Sequence, residues 1–205
     1  MNKEINSNGF GYIDLGLPSG TLWARCNVGA NKSSDYGLYF SWGYTVGYTA
    51  VQVGTGEGQK KFASDWSDYK WGVSPNFSKY TTAGESLKLE DDAAHVNMGG
   101  SWHMPTPEQI QELIDYTTTA WTTSNGASGM TFTSKKDTSK SIFIPAAGGA
   151  LDGSVQGSGV FGYVWSSMLD TDVVHCGQGL YFDSGDVSLN SSYRCDGLSV
   201  RGVIG

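Results

Sequence analysis

The sequence predicts an α+β chain of short, mixed or antiparallel strands joined by long loops, with two helices. Three observations carry this. Gly supplies 29 of 205 residues, with only 5 Pro and no collagen-like period. Charged residues make up 16%, well below the roughly 25% of typical domains. Aromatics reach 13%, and with abundant Thr and Ser they favour pleated, turn-rich structure over a helical bundle. A hydrophobic content of 39% is enough to build a sizeable core.

Taken in order, residues 1–8 are polar and expected to be flexible. Residues 9–205 then read as one domain, because no composition break or internal repeat divides them. Apolar-rich segments recur at 21–28, 37–43, 130–134, 141–145, 163–166, 179–183, 186–190 and 199–203. Each is short and bounded by Gly, Asn, Ser, Asp or Pro, as strands between turns are. The stretch 44–80 is rich in Gly, Tyr and Lys and reads as a long insertion with little regular structure. Within SLKLEDDAAHVNMGG, Leu89, Ala93 and Val96 fall on one helical face, and Gly99 can end the helix in a left-handed turn. In TPEQIQELIDY, Thr106 is a natural N-cap, Pro107 suits the first helical position and Gln109 completes a capping box. Ile110, Leu113 and Ile114 form the apolar stripe that follows.

Several function classes are disfavoured. A net charge of −7 argues against nucleic-acid binding, which needs a basic stripe to displace phosphate counterions. No apolar run approaches the roughly 18 residues of a bilayer span, so no direct membrane insertion is expected. The start, MNKEINSNGFGYIDLG, lacks the apolar stretch of a secretory signal. Cys26, Cys176 and Cys195 cannot all pair and form no CxxC, so neither a disulfide nor a zinc framework is expected. GTGEGQKK (54–61) lacks the Gly-Lys-Ser/Thr ending of a phosphate loop. Neither a Gly-x-Ser-x-Gly elbow nor His-Glu-x-x-His occurs. Asp91 and His95 stand at i and i+4, as co-ligands of a metal would, but they also suit the dipole of a helix. His103 reads as a packing or hydrogen-bonding residue. Trp23, Trp42, Trp71, Trp102, Trp121 and Trp165 read as core. No catalytic residue, cofactor or metal ligand is assigned.

The most informative segment is GLYFDSGDVSLNSSYR. Leu180 and Phe182 alternate with Tyr181 and Asp183, Ser184-Gly185 signals a turn, and Val187 and Leu189 alternate with Ser188 and Asn190. The outward set mixes an aromatic, carboxylates, hydroxyls and an amide. From Val164 to Asp196 Arg194 is the only basic residue other than His175, and Lys and Glu do not occur.

YIDLGLPSGTLWARCNVGA, YGLYFSWG, DDAAHVNMGGSWHMPTPEQIQELI, SIFIPAAG, GYVWSS and SVRGV, in this order, resemble the C-type-lectin-like domains of Bacteroidetes and their phages. That group also contains formylglycine-generating-enzyme-like domains. The resemblance spans about 12–203 and fails mainly at 44–80. The C-terminal third is similar to the variable proteins of diversity-generating retroelements, in which adenines of a template repeat are rewritten and Asn codons become many residue types. The resemblance implies a C-type-lectin-like fold with a variable, ligand-binding region over about 163–197. Its variable positions would be Val164, Asp170, Val173, His175, Cys176, Gly179, Tyr181, Asp183, Asp186, Ser188, Asn190, Ser191, Ser192, Tyr193, Cys195 and Asp196. Every residue type in this set is reachable from an Asn codon by changing its two adenines. Trp165, Ser166, Ser167, Leu169, Leu180, Phe182, Val187, Gly197, Ser199, Val200 and Arg201 would be fixed.

The implied function is non-catalytic display of a diversified surface for receptor recognition or adhesion. The partner would be a protein or glycan receptor on a cell surface. The chain would sit on a phage virion or a bacterial cell, as a homo-oligomer or attached to a larger assembly. A lectin-like adhesin with a fixed surface is the alternative. A formylglycine-generating-type oxidase is disfavoured, because Cys176 and Cys195 lack the surrounding motif. The calcium-binding strings of sugar-binding C-type lectins are also missing.

Overall fold

The computed structural model describes residues 5–205. It is an α+β structure with two α-helices and many short, mostly antiparallel strands in several sheets. Of the stretch 1–8 expected to be flexible, residues 1–4 lie outside the described residues, while β1 (Ile5–Ser7) pairs with β2 (Phe10–Asp14). The β1-β2 ladder continues through β3 (Leu22–Ala24). Next come β4 (Tyr39–Phe40), β5 (Gly72–Val73) and β6 (Asn76–Phe77).

Helix α1 (Ala93–Met98) is capped by Asp92, whose carboxylate accepts from the backbone N–H groups of His95 and Met104. Gly99 ends it at a positive φ of 69°, as its sequence position suggests. The expected face is corrected. Leu89 lies in a separate 3-10 turn, and both Leu89 and Val96 are exposed. Ala93, Ala94 and Met98 are the buried residues, because the six-residue helix starts only after Asp92. Helix α2 (Pro107–Tyr116) follows its sequence signals. Thr106 Oγ1 accepts from Gln109 N–H, and Gln109 Oε1 accepts from Thr106 N–H. Ile110 and Leu113 are fully buried.

Helix α2 runs directly into β7 (Thr117–Ser124), which pairs with β8 (Ala127–Ser134), and β8 with β9 (Ser141–Pro145). The small ladder of β10 (Gly149–Leu151) and β11 (Ser154–Gln156) precedes the long β12 (Phe161–Leu169). Strands β13 (Cys176–Asp183) and β14 (Val187–Tyr193) form the C-terminal hairpin. The segment expected as one strand at 199–203 is two, β15 (Leu198–Ser199) and β16 (Val203–Ile204). The central sheet has the order β14-β13-β12-β15-β4, with β12 and β15 parallel at Val164 and Ser199. Strand β16 closes the first sheet against β3.

Three apolar clusters fill the interior. One lies between α2, β8, β9 and the central sheet and contains Ile110, Leu113, Phe132, Ile144, Val164, Leu180 and Phe182. The second gathers Trp42, Tyr69, Trp71, Phe77, Tyr80, Trp102 and Trp165. It draws its aromatics largely from 44–80, so the insertion, although poor in regular structure, is packed into the core. Arg194 anchors it there. Its guanidinium lies 4.2 Å from the Phe77 ring centre and donates to Tyr69 Oη and to the carbonyls of Lys79, Tyr80 and Val174. The third cluster holds Tyr39, Val53, Phe62, Ala147 and Ala150. Trp23, Trp42, Trp102 and Trp165 are wholly buried and Trp71 nearly so, as core tryptophans should be. Among the described residues, no helix is long and apolar enough to cross a membrane.

Candidate functional site

Strand alternation sorts the C-terminal hairpin into two faces. Leu180 and Phe182 are fully buried, and Val187 and Leu189 pack beside them against the α2 cluster. The pairing Phe182–Val187 and Leu180–Leu189 places these four side by side. The intervening positions Tyr181, Asp183, Ser188, Asn190 and Ser192 form the opposite face, with Tyr181 directly across from Ser188. The expected register therefore holds, and β13 buries Leu180 and Phe182 as expected, whereas along β14 Val187, Ser188 and Leu189 are all half-buried.

The turn is held by one of its own outward residues. Asp183 Oδ1 accepts from the N–H groups of Gly185 (2.7 Å) and Asp186 (2.9 Å), and its Oδ2 accepts from Tyr181 Oη (2.8 Å). These hydrogen bonds hold the Asp183 carboxyl below the usual carboxylate range, and the same contact raises the Tyr181 phenol. Ser188 Oγ donates to Asp186 Oδ2.

A second group gathers around the loop between β12 and β13. Asp170 Oδ1 accepts from the N–H groups of Asp172 and Val173, and its Oδ2 accepts from Ser191 Oγ at 2.5 Å. The loop is thereby stapled to β14. The rings of His175 and Tyr193 lie 5.6 Å apart, and Tyr193 is 49% exposed beside Trp66. Ser191 and Tyr193 alternate away from Ser188 and Asn190. By alternation they lie on the side of the sheet opposite that polar face. Cys176 starts β13, and burial beside Asp170 and Asp196 pushes its thiol up to about 11.

Three expected surface positions are corrected. Val164 is 1% exposed and sits in the α2 cluster, because β12 is the middle strand and presents this residue beside Leu180. Cys195 is fully buried in the aromatic cluster. At Gly179 a Cβ would lie 2.5 Å from the Val164 carbonyl oxygen and 2.7 Å from the Tyr163 ring, so no larger residue fits without backbone movement. Val164 and Cys195 entered the expected set through the family resemblance alone, and at Gly179 alternation carries no information about what covers the outward face.

That cover creates a feature the sequence reading missed. The β10-β11 ladder hangs over the sheet, tied by Gly148 N–H to the Phe161 carbonyl (2.8 Å) and by reciprocal Ala150–Gly197 hydrogen bonds (2.7 and 2.8 Å). Beneath it a cavity of about 160 Å³ is lined by Gln156, Phe161, Tyr163, Ser192, Asp196 and Leu198, among others. Tyr163 is 6% exposed, and its hydroxyl has no hydrogen-bond partner. Asp196 Oδ2 accepts from Ser192 Oγ at 2.7 Å, yet burial, with Asp152 nearby, pushes the carboxyl up to about 6. Tyr181 stacks on Phe161 with ring centres 6.1 Å apart. The alternating aromatics Phe161, Tyr163 and Trp165 were the signal that could have placed a lining here.

Other candidates stand apart. Asp91 is engaged by Lys79, Tyr80 Oη and Lys70, while His95 Nδ1 faces the Trp102 carbonyl and His103 contacts the Met104 and Gly205 carbonyls. Among the described residues, no group of three or more His, Cys, Asp or Glu converges as a metal would require. Lys60, in the 54–61 loop, is buried against Asp68 (2.9 Å). A larger cavity of about 530 Å³ lies around Phe10, Arg25, Cys26, Asn31 and Lys32 and shares no lining residue with the hairpin. Comparison of the chain with protein-family models, with curated proteins and with solved structures yields no match in any of the three.

Proposed function

We propose that the protein is a ligand-binding module of the C-type-lectin-like kind. Its C-terminal hairpin and flanking loops display a diversified recognition surface, and it catalyses nothing. The observation that carries this reading is the split of β13 and β14 into an apolar face packed on the α2 cluster and a polar face of Tyr181, Asp183, Ser188, Asn190 and Ser192, of which Asn190 is exposed and the others half-buried. Inward residues hold the architecture, so outward ones can change without unfolding it. The partner is a protein or glycan receptor on a cell surface, with the module carried by a phage virion or a bacterial cell. Tyr181 is the anchor such an interface on this face would use, since Tyr offers large area at low entropy cost.

The test is substitution with a melting readout. Swaps at Val173, Ser188, Asn190 and Tyr193 to Asp, Gly, His or Tyr should each shift Tm by no more than about 2–3 °C. If most of them unfold the domain, the surface is not free to vary and the reading fails.

A fixed-surface adhesin is the second reading. It is favoured at Asp170 and Asp183, whose carboxylates close turns and would be missed if replaced. An adenine-rich imperfect repeat of the C-terminal coding region beside a reverse transcriptase gene supports the diversified reading, and its absence supports the fixed one.

A further inference from the structure

We propose that the cavity beneath the β10-β11 ladder is a socket for one cationic side chain, Lys or Arg, from a protein that docks on the hairpin face. This rests on the reading of that face as a recognition surface and names the chemistry of its partner.

Size comes first. At about 160 Å³ the cavity is far smaller than the roughly 300–1,000 Å³ of pockets that enclose whole small ligands. It matches the scale of a cavity that holds a single ring, or one inserted side chain. The lining then defines the chemistry. Phe161 and Tyr163 supply aromatic surface, with Tyr181 stacked on Phe161, and aromatic faces attract cations. At the polar end stand Asp196 and Ser192, and the aromatic wall includes Tyr163, a residue 6% exposed whose own hydroxyl is shielded from the cavity. The Asp196 carboxylate accepts from an ammonium or guanidinium N–H, which would supply its counter-charge.

Charge completes the argument. The lining contains no Lys or Arg. Asp196 receives the Ser192 hydroxyl, the Cys195 thiol and a Tyr193 backbone N–H but no cation, and the one charge acting on it, Asp152, is of the same sign. Asp170, Asp172, Asp183 and Asp186 lie in the same C-terminal segment, and its one arginine, Arg194, is buried in the aromatic cluster. An anionic ligand would be repelled, and a neutral sugar would leave the carboxylate without a counter-charge. The upward displacement of the Asp196 carboxyl is what an unpaired, half-enclosed carboxylate shows, and an entering cation would reverse it.

The experiment titrates the full ¹⁵N-labelled chain at pH 7.5 with N-acetyl-lysine methylamide. The uncharged norleucine analogue and methyl glucoside serve as comparison probes. Saturable shifts at the amides of Gln156, Tyr163 and Asp196 are expected with the lysine probe only. Asp196→Asn should weaken binding by at least about tenfold, with a smaller loss for Ser192→Ala. Thermal melts confirm that both variants fold. Equal binding of the norleucine probe, binding of the glucoside alone, or no binding at all each overturns the cation socket. If lysine binding fails while the hairpin swaps melt normally, only this inference falls. If the swaps unfold the domain, the recognition-surface reading falls as well.

Discussion

Asp196 is a residue whose local chemistry works against the fold. Its carboxyl ordinarily titrates near 3.8, and burial lifts it to about 6 in the folded protein. The groups facing it are Asp152 from the turn of the β10-β11 ladder, Tyr163 from β12, Cys176 from β13 and the adjoining Cys195, with Lys61 beyond Asp152. A raised carboxyl pKa means that the folded state holds the proton more tightly than the unfolded chain. Stability therefore falls as pH rises from about 4 to 6 and then levels off. Replacing Asp196 with Asn removes that penalty, of order 2 kcal/mol. The variant should melt several degrees above the parent at pH 7.5 and show no gain at pH 4 in paired thermal scans. An equal gain at both pH values would mean that packing, not charge, limits this site.

The residue scale is also where the sequence was least legible. Outward positions could be counted from alternation, but their neighbours could not. Gly179 and Val164 fell among the expected surface positions although backbone from β12 and the α2 cluster enclose them. Tyr163 and Phe161 were passed over because nothing local announces that the distant β10-β11 ladder lies above them.

Among the elements, α2 and the C-terminal hairpin were the most legible, because their signals are short-range. The cap at Thr106 and Gln109 closes within four residues. Thr106→Ala should lower stability by about 1 kcal/mol, read as a Tm drop of about 2–4 °C. In the hairpin, Phe182→Ala should cost about 3–5 kcal/mol in a denaturant titration. Ser188→Ala, on the facing side, should stay within about 0.5 kcal/mol. Comparable losses at both would contradict the division of faces. By contrast, β7 was not foreseen. Its Thr-rich run is largely exposed and lies at the edge of its sheet, so no burial period marks it. The helix expected from Leu89 was too long because the Asp92 cap begins the helix after the Leu89 turn.

At the scale of the whole molecule, the α+β class with two helices was readable from composition and turn chemistry. The role of 44–80 was not. That segment has little regular structure, yet its aromatics build much of one core cluster, and pairing of rings across distant loops leaves no period to read. Arg194 joins this segment to the end of β14 by hydrogen bonds to Tyr69, Lys79 and Tyr80. Arg194→Met would remove the donor to the Tyr69 hydroxyl and to the Lys79 and Tyr80 carbonyls and should destabilise the fold by about 3 kcal/mol or more. Limited proteolysis should then cut first within 60–80, while the parent protein resists. Cleavage elsewhere would show that the insertion is held by its rings alone.

The ladder over the cavity is suspended from main-chain atoms at Phe161, Ala150 and Gly197, and a Cβ at Gly197 would strike the Phe62 ring at 2.6 Å. Main-chain atoms are common to every variant of the surrounding side chains. Sequence change around the opening therefore alters the chemistry and the free space of its walls while the suspension of the ladder stays the same. A collection of such variants would differ in what they accept and share the frame that holds it.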